Sequence, residues 1–140
     1  MLALLKGEPA AAEVRRLLEG EPGSVLTSVG VAEVLDHLIR VVGADEEEAA
    51  LDLAQLGLLD AHVVNEALGV AAGRLRARHY HRTRCAVSLA DCIAAEAARA
   101  PGARLATADP HLLDVCYAEA ITTQTLTASN GARWKPAKGS

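Results

Sequence analysis

Acidic residues at three points of this 140-residue chain have the types and spacing of a metal site. Asp91 follows Ser88 at a predicted helix start. Asp109 stands before Pro110, where a short apolar run ends and a second helix is predicted to begin, and Glu33 lies in the apolar helical pattern SVGVAEVL. Carboxylates that converge repel one another, and a hard cation such as Mg²⁺ relieves the repulsion. Because such a cation activates water and neutralises charge on a phosphodiester, the three acids favour metal-dependent hydrolysis.

Each acid also has a purely structural explanation. Ser88 and Asp91 fit a capping box, in which each side chain bonds to the other residue's backbone amide. Asp109 fits an ordinary N-cap, and Glu33 has the spacing to pair with His37 one helical turn later. Taken one at a time, these alternatives stay open, and only the combination of three acids favours a shared ion.

The elements that must position the acids alternate between strands and helices, which predicts an α/β fold. Strands are predicted at residues 24–27, 58–64, 104–108 and 120–126, the last of them at a sheet edge. Helices are predicted at residues 1–6, 9–19, 28–42, from 45 onward, and at 65–80, 88–98 and 110–117. Chemistry in an open α/β sheet collects at the carboxyl ends of strands, which is where the 104–108 strand delivers Asp109.

The segments SVGVAEVL, VSLADCIAAEA and LATADPHLLDV, in this order, resemble those of the PIN-domain nucleases, most closely the VapC-type toxins of bacterial toxin–antitoxin pairs. The resemblance extends from residue 1 to about residue 121. It implies a three-layer α/β/α sandwich with a short, mainly parallel sheet. It also implies an acidic cluster that binds Mg²⁺ or Mn²⁺ and cleaves RNA.

The resemblance assigns roles to individual residues. Glu33, Asp91 and Asp109 match three acidic positions of the family, where they would act as metal ligands and catalytic residues. Thr107 matches the small hydroxyl residue two positions before the last acid and would support it. Asp114 is a weaker candidate at the rim of the site, and an exposed helix residue is the alternative for it.

The start of the chain departs from the family pattern. Family members begin with a short apolar strand that ends in an aspartate, followed by a helix similar to this chain's opening MLALLKGEP. We therefore expect residues 1–6 to be helical, with the first, central strand and the first aspartate missing from the numbered chain. Because a buried gap leaves backbone groups unpaired, we expect it to be filled by residues encoded upstream, by a neighbouring chain or by residues 120–126.

A basic segment, GRLRARHYHRTR, precedes the Asp91 helix. Arginines with an interleaved tyrosine suit a phosphate backbone and a stacked base, and the arginines concerned are Arg74, Arg76, Arg78, Arg82 and Arg84. The alternatives are a solvated helix end and a contact for an acidic antitoxin segment. The net charge of −4 excludes RNA affinity from bulk electrostatics, so any RNA contact must be local.

Composition predicts one intracellular domain. With no Phe, the core must be built from Leu, Val, Ile and Ala, and we expect the domain at residues 1–128 and a disordered tail at 129–140. Cys85, Cys92 and Cys116 lack metal-type spacing and are expected to be free thiols in a reducing compartment. The apolar opening is too short for a signal peptide or a membrane helix, which predicts a cytoplasmic protein without membrane contact.

These observations favour a metal-dependent endoribonuclease, VapC-like, homodimeric and silenced by a cognate antitoxin. The alternative is a catalytically silent PIN-fold binding protein that lacks one metal-ligand aspartate. A third hypothesis is an acid-cluster hydrolase that acts on a small phosphoester.

Overall fold

Four short parallel strands form one sheet in the computed structural model of the chain. In chain order they are β1 (Leu2–Leu5), β2 (Ser24–Val25), β3 (Ala103–Thr107) and β4 (Thr123–Thr125), and their spatial order is β2-β1-β3-β4. The structure describes residues 2–5, 24–25, 27–40, 43–55, 62–100, 102–127 and 131–136, with the backbone alone for 2–5 and 24–25. The predicted edge strand at 120–126 is confirmed as β4.

The described helices are α1 (Ser28–Arg40), α2 (Glu46–Gln55), α3 (Glu66–His79), α4 (Leu89–Ala97) and α5 (Pro110–Ala118). Each lies where the sequence predicted a helix, because polar caps fix the starts. The Asp45 carboxylate accepts hydrogen bonds from the amides of Glu47 (3.2 Å) and Glu48 (3.3 Å), and Asn65 accepts one from Leu68 (2.9 Å). The predicted helix at 9–19 lies outside the described residues.

The prediction of a helix over residues 1–6 is wrong for Leu2–Leu5, which form β1. This strand pairs with β2 on one side and β3 on the other, so it occupies the middle of the sheet. The expected gap is thus filled by residues 2–5 of the chain itself. A four-residue apolar run has no periodicity that separates a helix from a buried strand, and strands of parallel sheets are apolar on both faces.

Helices cover both faces of the sheet, as the three-layer prediction requires. Leu105 and Ala106, neighbours on β3, are fully buried and point to opposite faces. On one face Leu105 joins a core formed with α3, α4 and α5, which includes Leu75, Cys92, Ala95, Leu112 and Cys116. On the other face Ala106 packs with Leu53 of α2, Leu126 and the apolar residues of α1. The predicted α/β sandwich with a parallel sheet is confirmed.

Two further segments differ from expectation. Of the strand predicted at 58–64, the described part contributes one isolated bridge, between His62 and Thr27, and residues 58–61 lie outside the described range. Residues 131–136, assigned to the disordered tail, lie against the domain: Arg133 donates to the Thr125 carbonyl oxygen (2.9 Å) and Trp134 contacts α5. None of the described helices is long and apolar enough to span a bilayer.

Candidate functional site

Asp109 begins α5 at the carboxyl end of β3, as the sequence predicted. Its Oδ1 accepts hydrogen bonds from the amides of His111 (2.9 Å) and Leu112 (3.5 Å), and Pro110 occupies the first helical turn. The amide of Asp109 donates to Oγ1 of the fully buried Thr107 (3.1 Å). Thr107 therefore fixes the backbone of Asp109, and the N-cap uses one carboxylate oxygen.

Asp91 lies in the first turn of α4, where it forms the predicted capping box with Ser88. Its amide donates to Ser88 Oγ (3.0 Å), and its Oδ2 accepts from the Ser88 amide (2.9 Å). The residue is only 7% exposed. A carboxylate at this depth is stabilised by the amide hydrogen bond and by the positive end of the helix. The predicted capping box at Asp91 is thus confirmed.

The segment that precedes α4 is hydrogen-bonded to the first turn of α5, so the helix starts that carry the two aspartates are neighbours. The Ala86 amide, two residues before Ser88, donates to Nδ1 of His111 (2.7 Å), in the first turn of α5. Burial raises the pKa of the Cys85 thiol, and the charges of Asp114 and Asp109 raise it further. The negative charge of Asp91 acts in the same sense on Cys92, where burial is the main cause of a pKa of about 11. Negative charge from the first turn of α4 and from α5 and its N-cap therefore acts on the segment that contains Cys85 and Cys92.

Glu33 is exposed on α1, and the structure does not bring it into one cluster with the two aspartates. Val34 and Leu35 turn toward the sheet and pack against the core, while Glu33 lies on the outer side of the helix. Across the described ranges, no group of three or more His, Cys, Asp or Glu side chains is arranged to hold a metal ion. The expected convergence of three acids is thus not observed, although Asp91 and Asp109 do lie at adjacent elements.

The five arginines of the basic segment divide into two sets. Arg76 donates from Nε to the Val87 carbonyl oxygen (2.9 Å) and stacks 4.1 Å from the Tyr80 ring centroid, and Arg78 pairs with Glu119 (3.1 Å). The guanidinium groups of Arg76 and Arg78 thus make contacts within the domain. The other set is exposed and makes no ion pair with any described residue; its members are Arg74, Arg82 and Arg84.

Arg82 and Arg84 lie on an ordered turn, residues 81–85, which we call the arginine turn. Backbone hydrogen bonds close it in both directions between His81 and Cys85 (2.9 and 3.0 Å). Nδ1 of His81 accepts from the amides of Thr83 (3.2 Å) and Arg84 (3.1 Å). The sequence does not predict this role of His81, since a histidine in a basic run is not typical of a turn.

Asp114, the predicted rim residue, is exposed and has a different partner. Its Oδ1 accepts from the indole N–H of Trp134 (2.8 Å), whose ring lies 6.1 Å from that of Tyr117. These contacts attach residues 131–136 to the outer side of α5. The structure thus gives Asp114 a role in holding this segment.

Comparison with known proteins places the chain in a family. A model of the PIN domain matches residues 1–117, which contain β1, every described helix except the last residue of α5, and all three candidate acids. No curated protein matches the chain. PIN domains are generally nucleases that bind RNA and use divalent metals. With more than two thirds of its length matched and with the parallel sheet and helix layers described above, this chain belongs to the PIN domain family.

Proposed function

We propose that the protein is a metal-dependent endoribonuclease of the VapC type. One observation carries the proposal: Asp109 caps α5 directly after β3, and Asp91 lies in the first turn of α4, whose preceding segment is hydrogen-bonded to α5 through Ala86 and His111. The carboxyl edge of a parallel sheet is where α/β proteins place their ligands. The family supports the reaction class, and the position of the two acids supports the proposed site.

Asp91 and Asp109 are the proposed metal ligands, and Glu33 is proposed to position water or a second ion. Carboxylate oxygens suit Mg²⁺ or Mn²⁺, so the donor type fits the cation. The number of donors fits the cation less well, since the described residues contain no group of three or more His, Cys, Asp or Glu side chains that could hold a metal ion. When bound, the cation supplies an activated water and neutralises charge on the phosphodiester.

The chain's own residues orient the acids and bind the substrate. Thr107 and Ser88 fix the two aspartates through the hydrogen bonds described above. Arg82 and Arg84, on the arginine turn, are proposed to bind the phosphate backbone, and Arg74 to extend this contact along α3. Local binding of this kind is necessary because the whole chain carries a net charge of −4.

The partners are proposed on the same resemblance. We expect a cytoplasmic homodimer whose activity is silenced by a cognate antitoxin. An acidic antitoxin segment would compete with RNA for the exposed arginines, since both carry negative charge. Light scattering of the purified chain alone tests the homodimer, and light scattering with the product of an adjacent gene tests antitoxin binding.

The decisive experiment separates the metal role of the aspartates from their capping role. Asparagine caps helices about as well as aspartate at the N-cap position of Asp109, and at position 91 its amide oxygen can still accept the hydrogen bond from the Ser88 amide. Asp109→Asn and Asp91→Asn therefore keep the helix starts and remove the charge. Ser88→Ala is the matched control, because it weakens the cap and leaves the carboxylate in place. Titration of Mn²⁺ by calorimetry is followed by cleavage of a structured RNA, with a chromogenic phosphoester alongside.

The proposal requires saturable Mn²⁺ binding that both asparagine variants abolish and Ser88→Ala largely retains. RNA cleavage should fall with metal binding, at least a hundredfold if the metal supplies the water. If the wild-type chain binds RNA without Mn²⁺-dependent cleavage, the PIN fold serves as a binding module. If only the phosphoester is hydrolysed, the substrate class is wrong.

A further inference from the structure

His111 contacts both the arginine turn and the acidic start of α5. Its backbone amide donates to Asp109 Oδ1 (2.9 Å), and its side-chain Nδ1 accepts from the amide of Ala86 (2.7 Å). Its carbonyl oxygen also lies 3.9 Å from the Sγ of Cys85, the last residue of the turn. A single half-buried residue thus links the segment that carries the arginines to the helix that carries a candidate metal ligand.

The direction of the hydrogen bond from Ala86 determines which nitrogen of the His111 imidazole carries the proton. A backbone N–H can only donate, so Nδ1 must present its lone pair and the ring proton resides on Nε2. The ring is therefore held in one tautomer and one orientation. The contact depends on the side chain of His111, whereas the N-cap of α5 depends on its backbone, so the two can be separated by substitution.

Internal hydrogen bonds fix the shape of the arginine turn but not its place on the domain. The His81–Cys85 pairs and the His81 side chain all act within the turn. Among the described residues, Cys85 and the residues after it contact the neighbouring helices through the Arg76 bond to Val87, the His111 bond to Ala86 and the contact of Cys85 Sγ with the His111 carbonyl oxygen. Of these contacts, only the hydrogen bond from Ala86 uses a side chain of the Asp109 helix, and Ala86 directly follows the turn.

We propose that His111 is a positioning residue that holds the arginine turn beside Asp109, so that Arg82 and Arg84 bind RNA phosphates next to the candidate metal site. The inference rests on the proposed ribonuclease function and deepens it. Phosphate contacts set the register of a nucleic acid on a protein. A turn held at a fixed distance from the acids therefore determines which phosphodiester lies at the site.

Matched substitutions of His111 test the role of its Nδ1. Asparagine places an acceptor oxygen near the Nδ1 position and is expected to retain the Ala86 bond. His111→Leu lacks any acceptor, and His111→Gln carries its acceptor one bond farther from the backbone. If one of these two variants folds poorly by thermal unfolding, the other serves in its place.

The first readout is binding of a fluorescein-labelled single-stranded RNA in EDTA, where metal-dependent cleavage cannot occur. Loss of one hydrogen bond should weaken binding about fivefold in His111→Leu and His111→Gln, and His111→Asn should restore it. The slope of log K against log salt should become shallower by about 0.7 for each lost phosphate contact. In an Arg82→Ala/Arg84→Ala background the His111 substitutions should have no further effect, because the turn then carries no phosphate ligands.

The second readout is hydrogen exchange of the residue 82–86 amides without RNA, which should accelerate in His111→Leu and not in His111→Asn. If the arginine variants lose RNA affinity and His111→Leu does not, the positioning role is refuted and the ribonuclease proposal stands. Equal effects of His111→Leu with and without the arginines also refute it, since a general structural defect acts in both backgrounds. Wild-type protein that binds no RNA in EDTA refutes the positioning role, and the Mn²⁺-dependent cleavage assay described above decides the ribonuclease proposal separately.

Discussion

Replacement of Glu119 by glutamine should destabilise the domain, because this carboxylate joins three helices. Glu119 follows the last turn of α5, and its oxygens lie 2.6 Å from Nε2 of His79, 3.1 Å from Arg78 and 3.0 Å from Arg99. His79 and Arg78 end α3, and Arg99 follows α4. Glutamine keeps the shape of the side chain and removes its charge, so the variant isolates the electrostatic contribution.

The expected loss of stability in Glu119→Gln follows from the pKa of the Glu119 carboxyl group. The hydrogen bond from His79, followed by those from Arg99 and Arg78, lowers the pKa of Glu119 from 4.5 to about 2. At about 1.4 kcal/mol for each pH unit, this corresponds to roughly 3 kcal/mol. Arg78 and Arg99 are 52% and 41% exposed, so solvent screens their interaction with Glu119. Arg99 also pairs with Glu96 (2.9 Å), so its charge is shared between two carboxylates. Both effects reduce the stabilisation that Glu119 contributes. We expect a loss of about 1 to 2 kcal/mol in the free energy of unfolding at pH 7.

The contribution of Glu119 to the free energy of unfolding should decrease as the pH falls. Because the folded-state pKa is lower than the unfolded-state pKa, the contribution of Glu119 is complete above about pH 4.5 and disappears as the pH falls toward 2. The stability difference between the wild type and Glu119→Gln should therefore narrow between these two pH values.

Urea unfolding at pH 7, 4.5 and 3 measures both effects. Glu47→Gln is the matched control, because this exposed glutamate in the first turn of α2 should change stability by less than about 0.5 kcal/mol. A Glu119→Gln loss no larger than that of the control, or one that stays constant down to pH 3, would contradict the proposed electrostatic role of the Glu119 carboxylate.

Three other substitutions test the packing around the site. Thr107→Val should lower the free energy of unfolding by about 1 kcal/mol in urea titrations, because the Asp109 amide loses its acceptor; an unchanged midpoint would contradict this. Leu105→Ala, at a fully buried position, should lower it by about 2 to 5 kcal/mol in the same assay, and a loss below about 1 kcal/mol would argue against a closely packed core at this position. Asp114→Ala should release the indole of Trp134, the sole tryptophan of the sequence, and shift its fluorescence to longer wavelength; an unshifted spectrum would show that this contact does not hold the segment.

Helix starts near the candidate site were predictable because their signals are local. Ser88 and Asp91 are three residues apart, and Asp109 is followed directly by Pro110, so each cap is encoded in a few consecutive positions. Thr107, which the family resemblance singled out, lies only two residues before Asp109 and bonds to its amide. Local hydrogen-bonding chemistry thus determined much of the geometry around the two aspartates.

Contacts between distant residues were not predictable in this way. Glu119 meets His79 across 40 positions of the sequence, and His111 meets Ala86 across 25. Neither pair has a spacing that a helix or strand period would reveal, since tertiary packing alone brings the partners together.

The sequence alone did not decide between the two alternatives for Glu33, a metal ligand and a partner of His37. The apolar pattern of α1 gave the helix correctly, but a helix turns by about 100° per residue, so one position decides whether a side chain faces the core or the solvent. Val34 and Leu35 occupy the inward positions, and Glu33, just before them, is rotated outward.

Capping and metal binding by the two aspartates are compatible functions. A carboxylate has two oxygens with about four acceptor positions, so the hydrogen bonds of a cap do not exhaust its capacity. Two negative charges at neighbouring positions repel each other, and the positive ends of α4 and α5 reduce this repulsion before any cation binds. The N-terminal ends of α4 and α5 are therefore a favourable environment for the metal-binding carboxylates that we propose. A structural explanation for each acid thus strengthens the functional one, and only the charge-removing asparagine variants distinguish them.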